Sequence, residues 1–305
     1  MIMKSAIVTG ASGLIGSRLV KHLINDNVDV YAIVRNGNSI DHAGITVVEA
    51  SLNEYSKLKD RLPHNVDVFF HLAWDGTFGE SFRDYHRQMD NAVYCGDALL
   101  VAKSLSCKRF VLAGTMVELE VKQFLNEDIS CPRIAAIYGT AKCAAEMICR
   151  TLAFQNDMPM NTVILSSLYG EGDRTRMIQN VLLHHLNYGK SPKLVEGNFL
   201  TDWTYVGDAV KGMCAIANYG VPMKTYYLGH RKLKTFREWA LAARDAVAPQ
   251  VDLKFGEYPD NSPIDYSLIN IEALYEHTGF EATSDFDETI RRTAEWVKQL
   301  GWEEP

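Results

Sequence analysis

The chain has 305 residues, 47% of them hydrophobic and 23% charged, with a formal net charge of −7. That composition suits a globular protein of one large domain or two unequal lobes. It carries no basic footprint for nucleic acid or an anionic membrane surface, and no apolar run approaches the roughly 18 residues of a membrane span.

Met1-Ile2-Met3-Lys4 leads straight into an apolar segment, leaving no room for a signal peptide. The six cysteines form no C-x-x-C pair and no zinc spacing, so reduced thiols in a soluble cytoplasmic protein are expected, with no metal site. Strand-like runs rich in Val, Ile and Phe fall at Ala6–Val8, Val28–Val34, Thr46–Val48, Val66–Leu72, Phe110–Ala113 and Thr162–Leu165. Between them, helical periodicity is read near 14–25, 53–62, 82–103 and 138–155. The alternation predicts an α/β fold, a doubly wound parallel sheet of Rossmann type. After about residue 166 turns crowd together, and helices are expected near 174–188, 207–219, 235–247 and 287–299. Residues 1–166 are thus assigned to a dinucleotide-binding domain and 167–305 mainly to a smaller substrate-binding lobe, with an approximate border and strands free to interleave.

Thr9-Gly10-Ala11-Ser12-Gly13-Leu14-Ile15-Gly16 joins the first strand to the first helix. In that context glycines permit a sharp turn, close approach of backbone N–H groups to phosphate, and tight packing of helix on strand. The spacing is G-x-x-G-x-x-G, a partial match to the commoner G-x-G-x-x-G fingerprint. The second strand ends Val34-Arg35-Asn36. An acidic residue there bonds the ribose 2′-hydroxyl of NAD, whereas Arg suits the 2′-phosphate of NADP. NADP(H) is therefore favoured, with NAD(H) the alternative.

Tyr138-Gly139-Thr140-Ala141-Lys142 puts a phenol and an ammonium one helical turn apart on one face. The ammonium, together with a positive nicotinamide, is expected to lower the phenol pKa from about 10 toward working pH. Such a tyrosine can exchange a proton with a carbonyl or alcohol oxygen.

With the glycine loop, His71-Leu72-Ala73, Asn91, Tyr169-Gly170-Glu171-Gly172-Asp173 and Asp202-Trp203-Thr204-Tyr205-Val206-Gly207-Asp208, nearly the whole chain resembles the extended short-chain dehydrogenase/reductases of the nucleotide-sugar epimerase/dehydratase type. The resemblance implies Thr115 as the oxygen-positioning donor, Tyr138 as acid/base and Lys142 as ribose anchor. It implies a cofactor shell of Gly10, Ser12, Gly13, Leu14, Ile15, Gly16, Arg35, Ser51, Leu52, Leu72, Ala73, Trp74, Asn91, Ala113, Tyr138, Lys142 and Leu165. Substrate contacts are expected from Asp75, Thr115, Met116, Ser167, Arg174 and Lys193.

Departures from the family pattern bear on the reaction. The family's 4,6-dehydratases follow the Thr with Asp and Glu, where this chain has Met116 and Val117. Ile164, Ser167 and Thr201 stand where an Arg, an Asn and an Arg are usual, although Arg174, Arg176, Lys193 and Arg231 can supply charge. The expected activity is an NADP(H)-dependent reductase of a nucleotide-activated 4-keto-6-deoxy sugar. The alternatives are an NAD-dependent 4-epimerase and, in another class, a non-catalytic NADP(H) sensor. A homodimer is the default expectation.

Other segments read more simply. Trp74–Gly79, Phe124–Ser130 and Arg133–Ile137 are expected to wall the site, and His71 to be a satisfied buried histidine. His184 and His185 point about 100° apart on a helix and do not share a metal. Asp208 is read as a turn cap, Asp285, Asp287 and Glu288 as a solvated helix start, and Trp296 and Trp302 as packing residues.

Overall fold

Short runs of β-branched and aromatic residues, hidden on both faces, form the central strands. The computed structural model describes residues 2–37, 40, 44–126, 136–259 and 264–305. In chain order the first half runs β1 (Ser5–Thr9), α1 (Leu14–Asn25), β2 (Asp29–Val34), β3 (Ile45–Glu49), β4 (Val68–His71), α2 (Tyr85–Ser104), β5 (Arg109–Thr115), α3 (Val117–Asn126), α4 (Ala136–Gln155) and β6 (Met160–Leu165). There follow β7 (Ser167–Tyr169), α5 (Ile178–Asn187), β8 (Leu200–Thr201), β9 (Trp203–Tyr205), α6 (Val206–Tyr219), β10 (Thr225–Leu228), β11 (Lys234–Thr235), α7 (Phe236–Val247), α8 (Ala273–Thr278) and α9 (Phe286–Gln299). Among the described residues no helix is long and apolar enough to cross a membrane.

The chain forms two compact units. The first comprises Met1–Leu165, Val210–Leu228 and Asp265–Phe280. Its seven strands lie in the order β3-β2-β1-β4-β5-β6-β10, with every neighbouring pair parallel. This is the expected doubly wound Rossmann-type sheet, extended by one strand. Strand order reverses between β1 and β4, so the loops after these two strands flank the switch point where such sheets bind ligands. One face is packed by α2 and α4 through Ala92, Cys95, Leu99, Ala145 and Cys149, over Ile7, Ile33, Phe69 and Phe110. Gly96 lets these helices meet: a Cβ there would stand 3.0 Å from Ile148 Cγ2.

The second unit comprises Ser166–Ala209, Gly229–Ile264 and Glu281–Pro305. It holds a parallel β7–β9 pair, an antiparallel β8–β11 pair, and a stack of Phe199, Trp203, Phe236 and Trp239. The Asp208 carboxylate accepts from Ser284 N at 3.0 Å and Ser284 Oγ at 2.8 Å, tying the start of α6 to the segment before α9. The region 167–305 is therefore interleaved between units rather than one lobe. Tyr226, Tyr227 and Leu228 are buried and pair with β6, which returns 210–228 to the first unit.

Three local differences from the sequence reading have simple causes. Leu52–Asp60 is a 3-10 run rather than an α-helix, held at its start by Ser51 N–H donating to Glu54 Oε2 at 2.9 Å. Glu80–Arg83 forms its own 3-10 turn, and α2 begins at Tyr85 because the Asp84 side chain caps His86 N and Arg87 N. Helix α3 is an addition, discussed below.

Candidate active site

The glycine loop is shaped by steric necessity. Gly10 has φ +66°, and a Cβ there would stand 2.9 Å from Ala73 N. At Gly16 a Cβ would lie 2.1 Å from Gly10 O, so only glycine lets α1 begin that close to β1. Gly13 is the N-cap and brings no side chain to the first turn of α1, while Ser12 and Gly13 are exposed. An uncapped helix N-terminus behind a glycine turn fits a pyrophosphate. Arg35 follows β2 directly; its guanidinium is 78% exposed and lies 3.7 Å from Asp75 Oδ1. Ser51 is exposed, and Leu52 packs on the sheet core.

The loop after β4 is fastened by two polar residues of α2. Asn91 Oδ1 accepts from Asp75 N at 2.8 Å, and its Nδ2 donates to Asp75 O at 2.9 Å and Arg87 O at 2.8 Å. Gln88, fully buried and not anticipated from sequence, accepts from Trp74 Nε1 at 2.7 Å and donates to Gly76 O at 2.7 Å. Asn91 thus holds the loop with its whole amide. The Asp75 carboxylate accepts from Arg87 Nη1 at 3.1 Å and faces Arg35, so its charge is engaged by two guanidiniums.

Thr115, Tyr138 and Lys142 come together at the carboxyl end of β5. Thr115 closes that strand, in register with Leu165 on β6, and its side chain acts on the Tyr138 phenol. Tyr138 lies in the first turn of α4 with its ring edge-on to Trp74 (5.9 Å between centroids) and tilted against Phe82 (4.8 Å). Lys142 Nζ donates to Ala113 O at 3.0 Å and sits 3.8 Å from the Trp74 ring centroid. Ala113 and Leu165 are buried, while Leu72, Ala73, Trp74 and Met116 are half-buried. The wall segments within 127–135 lie outside the described residues.

Sequence reasoning missed Glu118. It is fully buried, its Oε1 accepts from Thr115 N at 2.8 Å, and Val117 N donates to Thr115 Oγ1 at 3.4 Å. Thr115 and Glu118 thus fasten the start of α3 to the end of β5, a half of the T-x-x-E capping pattern.

The electrostatics reverse one expectation. Burial, and then the Glu118 charge, push the Tyr138 phenol above its ordinary range against the lowering effect of the Thr115 side chain. The Lys142 ammonium is 5.8 Å from the Tyr138 ring centroid and does not bring the phenol down. Burial lowers Lys142, opposed by Cys95 and Glu118. Burial raises Glu118 to about 7, with the Glu146 charge adding to it. His71, buried and bonded through Nδ1 to Thr9 Oγ1 at 2.9 Å, is held neutral by burial, its pKa down at about 3; its Nε2 has no hydrogen-bond partner among the described residues.

The remaining expected substrate contacts lie in the second unit. Ser167 Oγ accepts from Gln179 Nε2 at 2.6 Å, Arg174 is exposed over the Trp296 ring at 5.9 Å, and Lys193 is exposed. Arg176 lies 4.8 Å from the Trp302 ring centroid, and Arg231 Nη1 is 3.6 Å from Glu281 Oε1.

A parallel sheet with this loop at its switch point and a Thr-Tyr-Lys group at the end of β5 defines a dinucleotide-dependent enzyme of the short-chain dehydrogenase/reductase type. The model of the NAD dependent epimerase/dehydratase family matches residues 6–229, and the chain belongs to that family. It is 24% identical to a probable dTDP-glucose 4,6-dehydratase of Sinorhizobium fredii, over 97% of this chain and 93% of that protein. It is 27% identical to an uncharacterized UDP-glucose epimerase, YtcB, of Bacillus subtilis, over 69% of this chain and 71% of that one. In fold it is similar to the UDP-glucose 4-epimerase of Thermotoga maritima solved with UDP-glucose, with a TM-score of 0.79 at 17% identity over 97% of this chain and 99% of that one. The Bordetella bronchiseptica enzyme WbmF, solved with NADH, is similar at a TM-score of 0.79 and 20% identity, over 98% of this chain and 95% of that one.

Proposed function

We propose that the protein is an NADP(H)-dependent reductase of a nucleotide-activated 4-keto-6-deoxy sugar. The observation that carries this reading is Arg35, exposed and standing directly after β2 where NAD binders carry an acidic residue; Asp75 lies 3.7 Å from its guanidinium, and Glu49 accepts from Gly37 N two residues further on. Arg35 would hold the 2′-phosphate, the Gly10–Gly16 loop the pyrophosphate, and Lys142 the nicotinamide ribose. When bound, the cofactor supplies the hydride. Thr115 and Tyr138 hold the carbonyl oxygen of the sugar, and Tyr138 gives that oxygen its proton. Met116 and Val117 carry no titratable group, which disfavours water elimination although one relative is a probable dehydratase.

A 4-epimerase is the second reading, favoured by the epimerases among the similar proteins. Purified protein incubated with NADPH or NADH and a nucleotide 4-keto-6-deoxy sugar separates the two. Net oxidation of NADPH, lost about 10- to 100-fold in Arg35→Ser, is expected for the reductase. No net consumption together with co-purified NAD rejects it. Tyr138→Phe is expected to lower turnover about 10²- to 10⁴-fold while cofactor binding persists; unchanged binding and no turnover in the parent protein would instead fit a sensor.

A homodimer is part of the proposal. Tyr85, Met89, Val93 and Leu100 are exposed along α2, and Met147 and Phe154 along α4, an apolar stripe on two helices packed together.

A further inference from the structure

We propose that Asp75 is a specificity-determining residue of the cofactor site: its carboxylate competes with the 2′-phosphate of NADP(H) for the Arg35 guanidinium. The site then separates the two dinucleotides less sharply than Arg35 alone would. The inference rests on the reading that Arg35 receives that phosphate. Its basis is where the two residues stand. Arg35 directly follows β2, and Asp75 lies in the loop after β4. In the order β2-β1-β4 these strands flank β1, so their ends are about 10 Å apart at the usual strand spacing. The two side chains nevertheless meet, with Arg35 Nη1 3.7 Å from Asp75 Oδ1. The pair therefore spans the carboxyl end of β1, where the glycine loop begins and Gly10 lies against the Ala73 backbone. A dinucleotide whose pyrophosphate occupies that loop carries its adenosine ribose toward the end of β2, beside this pair.

The two ends of the pair are not equally free. Asp75 is fixed through its backbone, whose N–H donates to Asn91 Oδ1 at 2.8 Å and whose carbonyl accepts from Asn91 Nδ2 at 2.9 Å. Asn91 is itself buried. The second carboxylate oxygen, Oδ2, accepts from Arg87 Nη1 at 3.1 Å. Arg35, by contrast, is 78% exposed, and among the described residues its ion pair is with Asp75. Glu49, at the end of β3, gives its Oε1 to Gly37 N at 2.6 Å. The Arg35 guanidinium is thus the partner that can leave. A phosphate on the adenosine ribose draws it away by offering a more highly charged, bidentate acceptor. Asp75 then stays in place with its charge still matched by Arg87, so the exchange strands no ion. NAD(H) has only a hydroxyl at that position and gains nothing from the exchange. A carboxylate here therefore narrows the gap between the two cofactors.

The test is equilibrium binding of NADPH and NADH, with no sugar present, to the full chain and its variants by isothermal titration calorimetry. Asp75→Asn keeps the shape of the side chain and the backbone bonds to Asn91. In this variant NADPH is expected to bind about threefold tighter at low ionic strength, with NADH within about twofold of the parent. The gain is expected to shrink with added salt, as for any exposed charges. In the double variant, Arg35→Ser with Asp75→Asn, it is expected to vanish relative to Arg35→Ser, because Asp75 acts through Arg35. Unchanged or weaker NADPH binding in Asp75→Asn overturns the inference, as does an equal gain for NADH. A full gain in the Arg35→Ser background also overturns it, since Asp75 would then act on the phosphate directly. If Arg35→Ser weakens NADPH binding while Asp75→Asn changes nothing, this inference fails and the NADP(H) reading stands. Arg35→Ser binding NADPH as tightly as the parent removes both.

Discussion

Tyr138 sits against the Trp74 and Phe82 rings, and its burial, more than Lys142, sets its acidity. Four-residue spacing puts Tyr and Lys on one helix face but does not fix where the ammonium ends, and here it turns to the Ala113 carbonyl and the indole. Glu118 also has a consequence for stability. Its folded pKa of about 7 exceeds the ordinary carboxyl value of 4.5, so between those values the native state binds more protons than the unfolded chain. Stability from this group therefore falls as pH rises through that window. Glu118→Gln is expected to match the parent near pH 4 and to exceed it at pH 8 by on the order of 3 kcal/mol, read by chemical denaturation at both values. A constant difference across pH would mean that Glu118 does not titrate in that window.

At the scale of elements, the strands were the most legible features because each is a short apolar run between turns. Helix α3 was not, because Thr115 to Glu118 read as the end of β5 rather than as a cap. The same four residues serve both purposes: the threonine that ends the strand accepts from Val117 N and starts the helix. The glycine loop is the element on which the proposed cofactor binding depends most strictly. Gly16→Ala would press a methyl group against the Gly10 carbonyl and Ala11 Cα, both backbone and unable to move aside. It is expected to cost about 1–3 kcal/mol in a thermal or chemical melt and to abolish NAD(P)H binding in a fluorescence titration. Binding with parental affinity would show that the loop does not carry the pyrophosphate.

For the whole molecule, the stripe on α2 and α4 gives the proposed dimer a specific test. Val93→Glu combined with Phe154→Glu is expected to halve the mass seen by light scattering after size exclusion, without loss of the fold by circular dichroism. A parent that already runs as a monomer, or a double variant that stays dimeric, would place the association elsewhere or remove it.

Sequence by itself determined the doubly wound sheet, the glycine loop and the Tyr138–Lys142 spacing, because each follows from local pattern: apolar runs, residues without a Cβ, and helical periodicity. Only tertiary structure decided that 210–228 returns to the first unit, since nothing local to β10 names β6 as its partner. It also decided that Asn91 and Gln88 hold the Trp74–Gly76 loop and that Glu118 is buried with its carboxylate on Thr115 N. Polar side chains reveal their roles only through what packs around them, because burial and a neighbouring charge, not residue type, set which proton stays and which leaves.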